Sequence, residues 1–190
     1  GYDDAWIKEA TEKRGLLNLR TTPDALARFC DEKNVRMLTA HKIFSKAEIE
    51  SRYEINLENY CKTVNIEALT MIDMAKKEIL PAVLSYSAEL SDTLLKKKAA
   101  LPELACAFES KTVARLSVLS DEIGKAIEGL EAAVVKYRSV SDVAKAADLI
   151  RDLILQKMAE LRVVCDEAEG LTAKKYWPFP TYSDLLFGVR

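Results

Sequence analysis

The sequence predicts an all-α chain: a long antiparallel helical bundle of three long helices, with short N-terminal helices and an extended aromatic C-terminal tail. Three observations carry that expectation. Apolar residues recur every three or four positions over unusually long stretches, only six glycines and five prolines interrupt 190 residues, and no segment alternates as a half-buried strand would. Hydrophobic residues make up 49% and charged residues 31%, a balance that supports a buried core.

Taken in order, Asp3–Arg14 reads as a short amphipathic helix that stops before Gly15. Thr22–Pro23–Asp24 reads as a helix start, with Thr22 as cap, Pro23 in the first helical position and Asp24 facing the positive end of the dipole. One or two short helices then run to about Ala40. At Phe44–Ile49, Ser45 and Glu48 have the spacing of a capping box, and Phe44 and Ile49 that of a hydrophobic staple.

From there Tyr53, Leu57, Tyr60, Val64, Ala68, Met71, Ala75, Ile79, Val83, Tyr86, Leu90 and Leu94 step by three or four. They predict one helix of roughly 50 residues, about 75 Å long. Pro81 lies inside it and cannot donate to the carbonyl of Lys77, so a kink or break is expected there. Pro102 is expected to open a second long helix, with Leu116, Leu119, Ile123, Ile127, Leu130, Val134 and Tyr137 as its seam. Ser139 or Ser141 should cap a third, burying Val143, Ala147, Ile150, Ile154, Leu161 and Cys165 and ending near Gly170. Short links force such helices to be antiparallel neighbours. The expected organisation is residues 1–44 as an entry segment, 45–170 as the bundle and 171–190 as a docking tail.

Two features point outward. At 100° per residue, Ile55 and Ile66 fall within about 20° of each other and nearly opposite the main stripe. They are either incidental exposures or contacts to the N-terminal helices, another domain or another subunit. The tail, Lys174–Tyr182, holds Pro178 and Pro180 and cannot be helical. Its Tyr176, Trp177, Phe179 and Tyr182 are too apolar for a free coil and should dock. Thr181 and Asp184 could then cap a last turn carrying Leu185, Leu186 and Phe187.

The inventory is poor in reaction chemistry. His41 is the single histidine, placed for a helix end or surface, and a di-iron carboxylate bundle needs two Glu-x-x-His pairs. Neither G-x-x-x-x-G-K-[ST] nor G-x-G-x-x-G occurs, so no phosphate cradle is expected. Glu54 and Glu58 stand one turn apart, a spacing common on solvated faces. Gly124 and Gly129 lie inside a helical pattern, where close helix approach would explain them. Cys30, Cys61, Cys106 and Cys165 form no C-x-x-C pair and read as buried thiols of a reducing cytoplasm. Lys96–Lys98 neutralises a helix C-terminus. The 28 basic and 30 acidic residues leave a net charge of −2, which gives no electrostatic hint of nucleic acid or an anionic membrane as partner. No apolar run reaches the roughly 20 residues of a membrane span. Gly1–Lys13 is charged throughout, unlike a secretion signal, and Gly1 in place of an initiator Met leads to the expectation of an excised or processed chain.

Three stretches are more specific than helical periodicity requires: Arg14–Leu26 (RGLLNLRTTPDAL), Ser51–Val83 (SRYEINLENYCKTVNIEALTMIDMAKKEILPAV) and Tyr176–Phe187 (YWPFPTYSDLLF). In this order the chain resembles the C-terminal region of type III glutamine synthetases, with Lys97–Thr172 matched only in helical character. The resemblance implies a parent that ligates ammonia to glutamate using ATP and Mg²⁺ or Mn²⁺, through a γ-glutamyl phosphate. It implies that the catalytic and metal-binding residues lie upstream, so none is carried over to this chain. It also implies partners: the catalytic domain of the same polypeptide and other subunits of a ring-shaped homo-oligomer. In that reading Asn18–Leu26 closes the catalytic domain, and Ile55, Ile66, Tyr176, Trp177, Phe179, Tyr182 and Phe187 are the candidate contact residues, although the tail could equally pack only on its own bundle. A free-standing helical interaction module is the alternative reading, and periodicity alone does not separate the two.

Overall fold

A computed structural model describes residues 3–188, and among them every regular element is helical, with no strand. The chain divides into two compact units. The first comprises the residues up to Val64 together with Val140–Arg151; the second comprises Asn65–Ser139 together with the residues from Asp152 onward.

The first unit is built from α1 (Asp4–Lys8), α2 (Thr22–Ala27), α3 (Glu32–Ala40), the opening of α4 (Lys46–Met74) and α7 (Val143–Leu149). Helix α1 starts on the Asp3 side chain, which accepts from the Trp6 N–H, and it continues as a π turn over Glu9–Lys13. The chain then leaves through Gly15 at φ +66°, a left-handed angle that glycine adopts without a Cβ penalty. Helix α2 is capped by Thr21, one residue before the expected Thr22, because the Thr21 side chain reaches the Asp24 N–H while Pro23 sits in the first turn. The Asp24 carboxylate accepts from the Thr21 hydroxyl through one oxygen and from the Arg151 guanidinium, 2.7 Å away, through the other, which ties α2 to the turn that follows α7. Ile49, Leu57, Ala147 and Ile150 are enclosed here. The capping box at α4 forms as expected: the Ser45 N–H donates to Glu48 at 2.7 Å and the Glu48 N–H to Ser45 Oγ at 3.3 Å. His41 ends α3 on the surface.

The second unit contains the rest of α4, α5 (Leu80–Ala100), α6 (Ala107–Arg138), α8 (Leu155–Leu171) and α9 (Tyr182–Leu186). Helices α4 and α5 run on from one another through a π turn, Ala75–Ile79, without a break. Pro81 has no N–H and its ring crowds the preceding turn. The chain answers one turn earlier, where the Leu80 N–H reaches back five residues to the Ala75 carbonyl and widens the helix. All twelve seam residues from Tyr53 to Leu94 are buried or half-buried.

Helix α6 packs against both α5 and α8. Lys97 pairs with Glu109 and Lys76 with Glu131, so positions climb along one helix as they fall along the other. The same holds for α6 and α8, where Arg115 grips Glu167 through two 2.6 Å bonds and a Cβ on Gly129 would meet Lys157 at 3.6 Å. Both pairs are therefore antiparallel. Val83, Leu116, Leu119, Ile123, Leu130, Ile154 and Leu161 are enclosed, each contributing about 1.5–3 kcal/mol through burial.

Four local expectations are corrected. Helix α6 begins at Ala107, five residues after Pro102, because Lys98 donates to the carbonyls of Pro102 and Leu104 and holds the intervening segment as a turn. Cys106 therefore lies outside the helix, at φ 44°, instead of within a helical pattern. Asp142 caps α7 in place of Ser139 or Ser141, since its carboxylate accepts from the Lys145 N–H at 2.8 Å. Gly124 faces open space, so close helix approach does not explain it, whereas Gly129 does approach the Lys157 side chain.

Candidate functional site

The sequence-derived contact residues separate into three groups. Ile55 and Ile66, both on α4, are 53% and 62% exposed, and the short helices of the first unit do not cover Ile55. Tyr176, Trp177 and Phe179 are half-buried against the second unit. Tyr182 and Phe187 are 84% and 80% exposed.

The middle group is docked by a polar clasp and an aromatic contact. Thr172 ends α8 with its hydroxyl turned back onto the Ala168 carbonyl at 2.7 Å, and the chain then reverses through Lys174–Tyr176. Lys175 Nζ donates to both carboxylate oxygens of Glu89 on α5, at 2.8 and 2.5 Å, and the Tyr176 hydroxyl donates to the same carboxylate. These donors hold the Glu89 carboxyl below the usual carboxylate range, Lys175 chiefly and Tyr176 second. The ring of Tyr176 lies 5.7 Å from that of Tyr86, at 41°. Pro178 then aims the next two aromatics together: Trp177 and Phe179 meet edge to face, 6.2 Å between centroids at 76°.

Trp177 and Phe179 form one wall of a groove of about 490 Å³ contained within the second unit. Ile66, Met71 and Met74 of α4 and Ala75 and Ile79 of the π turn supply most of the opposite side, with Cys165 of α8 beside them. Burial pushes the Cys165 thiol up to about 11, so at neutral pH it is a protonated, apolar surface and no nucleophile. The rim carries Glu67, Arg162, Asp166 and Glu169. Sequence reasoning named Ile66, Trp177 and Phe179 as contacts; it read Met71 and Cys165 as ordinary seam residues and did not single out Met74. The groove exists only because the tail folds back over them.

Beyond the prolines, Thr181 and Asp184 complete a capping box, with Thr181 N–H to Asp184 at 2.9 Å and Asp184 N–H to Thr181 Oγ1 at 3.3 Å. Lys174 adds an ion pair to Asp184 at 2.7 Å and, as the largest influence, pulls its carboxyl far below the ordinary range. A Cβ on Gly188 would come within 2.4 Å of the Asp184 carbonyl oxygen, so that position requires glycine. The turn is thus well defined locally, and it presents Leu185, Leu186 and Phe187 to solvent.

The arrangement can bind but offers little for covalent chemistry. Glu58 is engaged by Lys62 at 2.8 Å on a solvated face. Among the described residues no three His, Cys, Asp or Glu side chains converge to hold a metal ion, and no helix is long and apolar enough to cross a membrane.

Comparison with known proteins explains that inventory. The chain is 39% identical over 190 residues to a glutamine synthetase of Butyrivibrio fibrisolvens, covering all of this chain and 27% of that protein. It is 30% identical over 195 residues to a type-3 glutamine synthetase of Dictyostelium discoideum, covering 98% and 26%. Over 197 residues it is 27% identical to a glutamine synthetase of Bacteroides fragilis (strain YCH46), covering 98% and 26%. These alignments run through Lys97–Thr172, where the sequence motifs were silent. The chain thus spans about a quarter of the length of these relatives. A family model described as the glutamine synthetase C-terminal domain matches residues 1–98. The helices, the docked tail and the three motifs accordingly belong to one lineage, and this chain is a member of the glutamine synthetase C-terminal domain family.

Proposed function

We propose that this chain is the noncatalytic helical region of a type III glutamine synthetase, where it braces the catalytic domain or the contacts between subunits of a ring-shaped homo-oligomer. The observation that carries the reading is the end-to-end similarity to three glutamine synthetases of which this chain spans only about a quarter. The parent would ligate ammonia to glutamate at the expense of ATP, with Mg²⁺ or Mn²⁺, in the cytoplasm of a bacterium. The residues of this chain do not fit those groups, because no metal-binding cluster occurs among the described residues and no glycine-rich phosphate loop occurs in the sequence. No step of the reaction is therefore assigned to them.

Within this reading, residues 1–44 lead out of the catalytic domain, 45–170 form the long-helix bundle, and 171–190 form the docking tail. Ile55 and Ile66 on α4 and Tyr182 and Phe187 at the capped last turn are the proposed contacts to the rest of the assembly, supported by their exposure. Tyr176, Trp177 and Phe179 fasten the tail that presents the last of them. Large apolar groups exposed to solvent are the kind of anchor an interface buries.

Two experiments test the proposal. The chain alone, given ATP, Mg²⁺, glutamate and ammonia, should form no glutamine, and turnover would overturn the noncatalytic assignment. The full-length enzyme lacking residues 176–190 should lose assembly or melt earlier; an unchanged oligomer with an unchanged melting temperature would remove the bracing role.

A further inference from the structure

The groove beside Trp177 has features that bracing does not use. Its volume of about 490 Å³ lies in the range of small-molecule sites, and its lining is mostly apolar and aromatic. It sits on the π turn Ala75–Ile79, an irregularity that recurs at functional sites in helices. Met71 and Met74 are flexible and polarizable, suited to closing around an apolar guest.

The rim decides the sign of the guest. Three carboxylates, Glu67, Asp166 and Glu169, face one guanidinium, Arg162. Arg162 is already engaged by Asp166, Nε to Oδ2 at 3.2 Å. Glu67 and Glu169 make no ion pair among the described residues, so the mouth keeps two unopposed negative charges above aromatic walls. Aromatic rings also attract cations, and Trp177 and Phe179 both line the groove. From this we propose that the groove is a binding site for a small amphipathic organic cation, its apolar body between Trp177, Met71 and Met74 and its ammonium at Glu67 and Glu169. The groove shares Ile66 with the proposed assembly contacts and Trp177 and Phe179 with the tail fastening, so binding is read first in the 190-residue chain, where no assembly contact covers it.

Three probes of one shape test it: the phenethylammonium cation, neutral 2-phenylethanol and anionic 3-phenylpropionate. They are titrated calorimetrically into the 190-residue chain and into the longer protein that contains it. In a Trp6→Phe variant, Trp177 is the only tryptophan left and its fluorescence locates the site. The cation should bind saturably, about fivefold or more tighter than the alcohol, as two exposed carboxylates allow. The anion should bind more weakly still, and added salt should erode only the cation's advantage. Glu67→Gln combined with Glu169→Gln should erase that advantage and leave the alcohol's affinity unchanged. Equal binding of all three probes, a cation preference that survives the double variant, or the absence of any saturable Trp177 response would overturn the proposal.

Discussion

The two halves of the aromatic tail have similar composition and opposite fates. Tyr176, Trp177 and Phe179 lie half-buried against α5 and the groove, while Tyr182, Leu185, Leu186 and Phe187 stand in solvent only a few residues later. Local order does not separate them, because the second half has the more complete local hydrogen bonding: its capping box and the Lys174–Asp184 pair are both formed. What separates them is a partner distant in sequence. Glu89 and Tyr86 meet the first half, whereas Tyr182, Leu185, Leu186 and Phe187 stay exposed among the described residues. An apolar side chain is buried when a complementary surface is within reach, whatever its own order.

The comparison can be broken or sharpened by substitution, and the interior sets its scale. Leu130→Ala empties an enclosed position on α6 and should destabilise the chain by about 2–5 kcal/mol in denaturant unfolding. A cost below 1 kcal/mol would mean that the seam is not closed. Trp177→Ala removes the groove wall at a half-buried position and should cost roughly 1–2 kcal/mol. A neutral result would make the docked half equivalent to the exposed half.

The clasp itself is read by pH. The Glu89 carboxyl lies below its ordinary value when folded, so its contribution is complete above the unfolded carboxylate pKa, about 4.3, and is lost as pH falls through the lowered folded value. Fluorescence of Trp177 should report tail release in that acid window, and Glu89→Gln should abolish the transition. An identical acid profile in the variant would assign the release to another carboxylate. The smallest effect belongs to the exposed half. Phe187→Ser should change the stability of this chain by less than about 0.5 kcal/mol, measured by thermal unfolding. If the bracing proposal holds, the same substitution should weaken the full-length assembly, and a clear loss of stability in this chain alone would show that Phe187 packs at home.

Much of the fold was legible because helices are specified locally. The step of three or four along Tyr53–Leu94 and Leu116–Tyr137 needs only backbone geometry to become a buried seam, and every one of those positions is at least half-buried. The Ser45–Glu48 and Thr181–Asp184 boxes were equally readable, since all their partners lie within three residues. The caps that were misplaced had competitors one to three residues away. Thr21 and Thr22 differ only in position, and Asp142 follows two serines, so the choice falls to side-chain reach after the neighbouring elements have packed. Pro81 announced a disturbance, but not that a π turn would absorb it. Nothing in the sequence marked the π turn at Ile150–Ile154.

The candidate site was legible only in part, for the same reason. Its aromatics stood out by composition, and their destination did not. Bonds that close within four residues are chosen by the order of the amino acids alone, so the sequence by itself settled the helical class, the principal seams and, through its motifs, the lineage. Only the tertiary structure could bring Lys175 to Glu89, 86 residues away, and thereby make the seam residues Met71 and Cys165, with Met74, the lining of a groove. That step depends on where α5 and α8 come to rest, and chain order does not encode such a meeting locally.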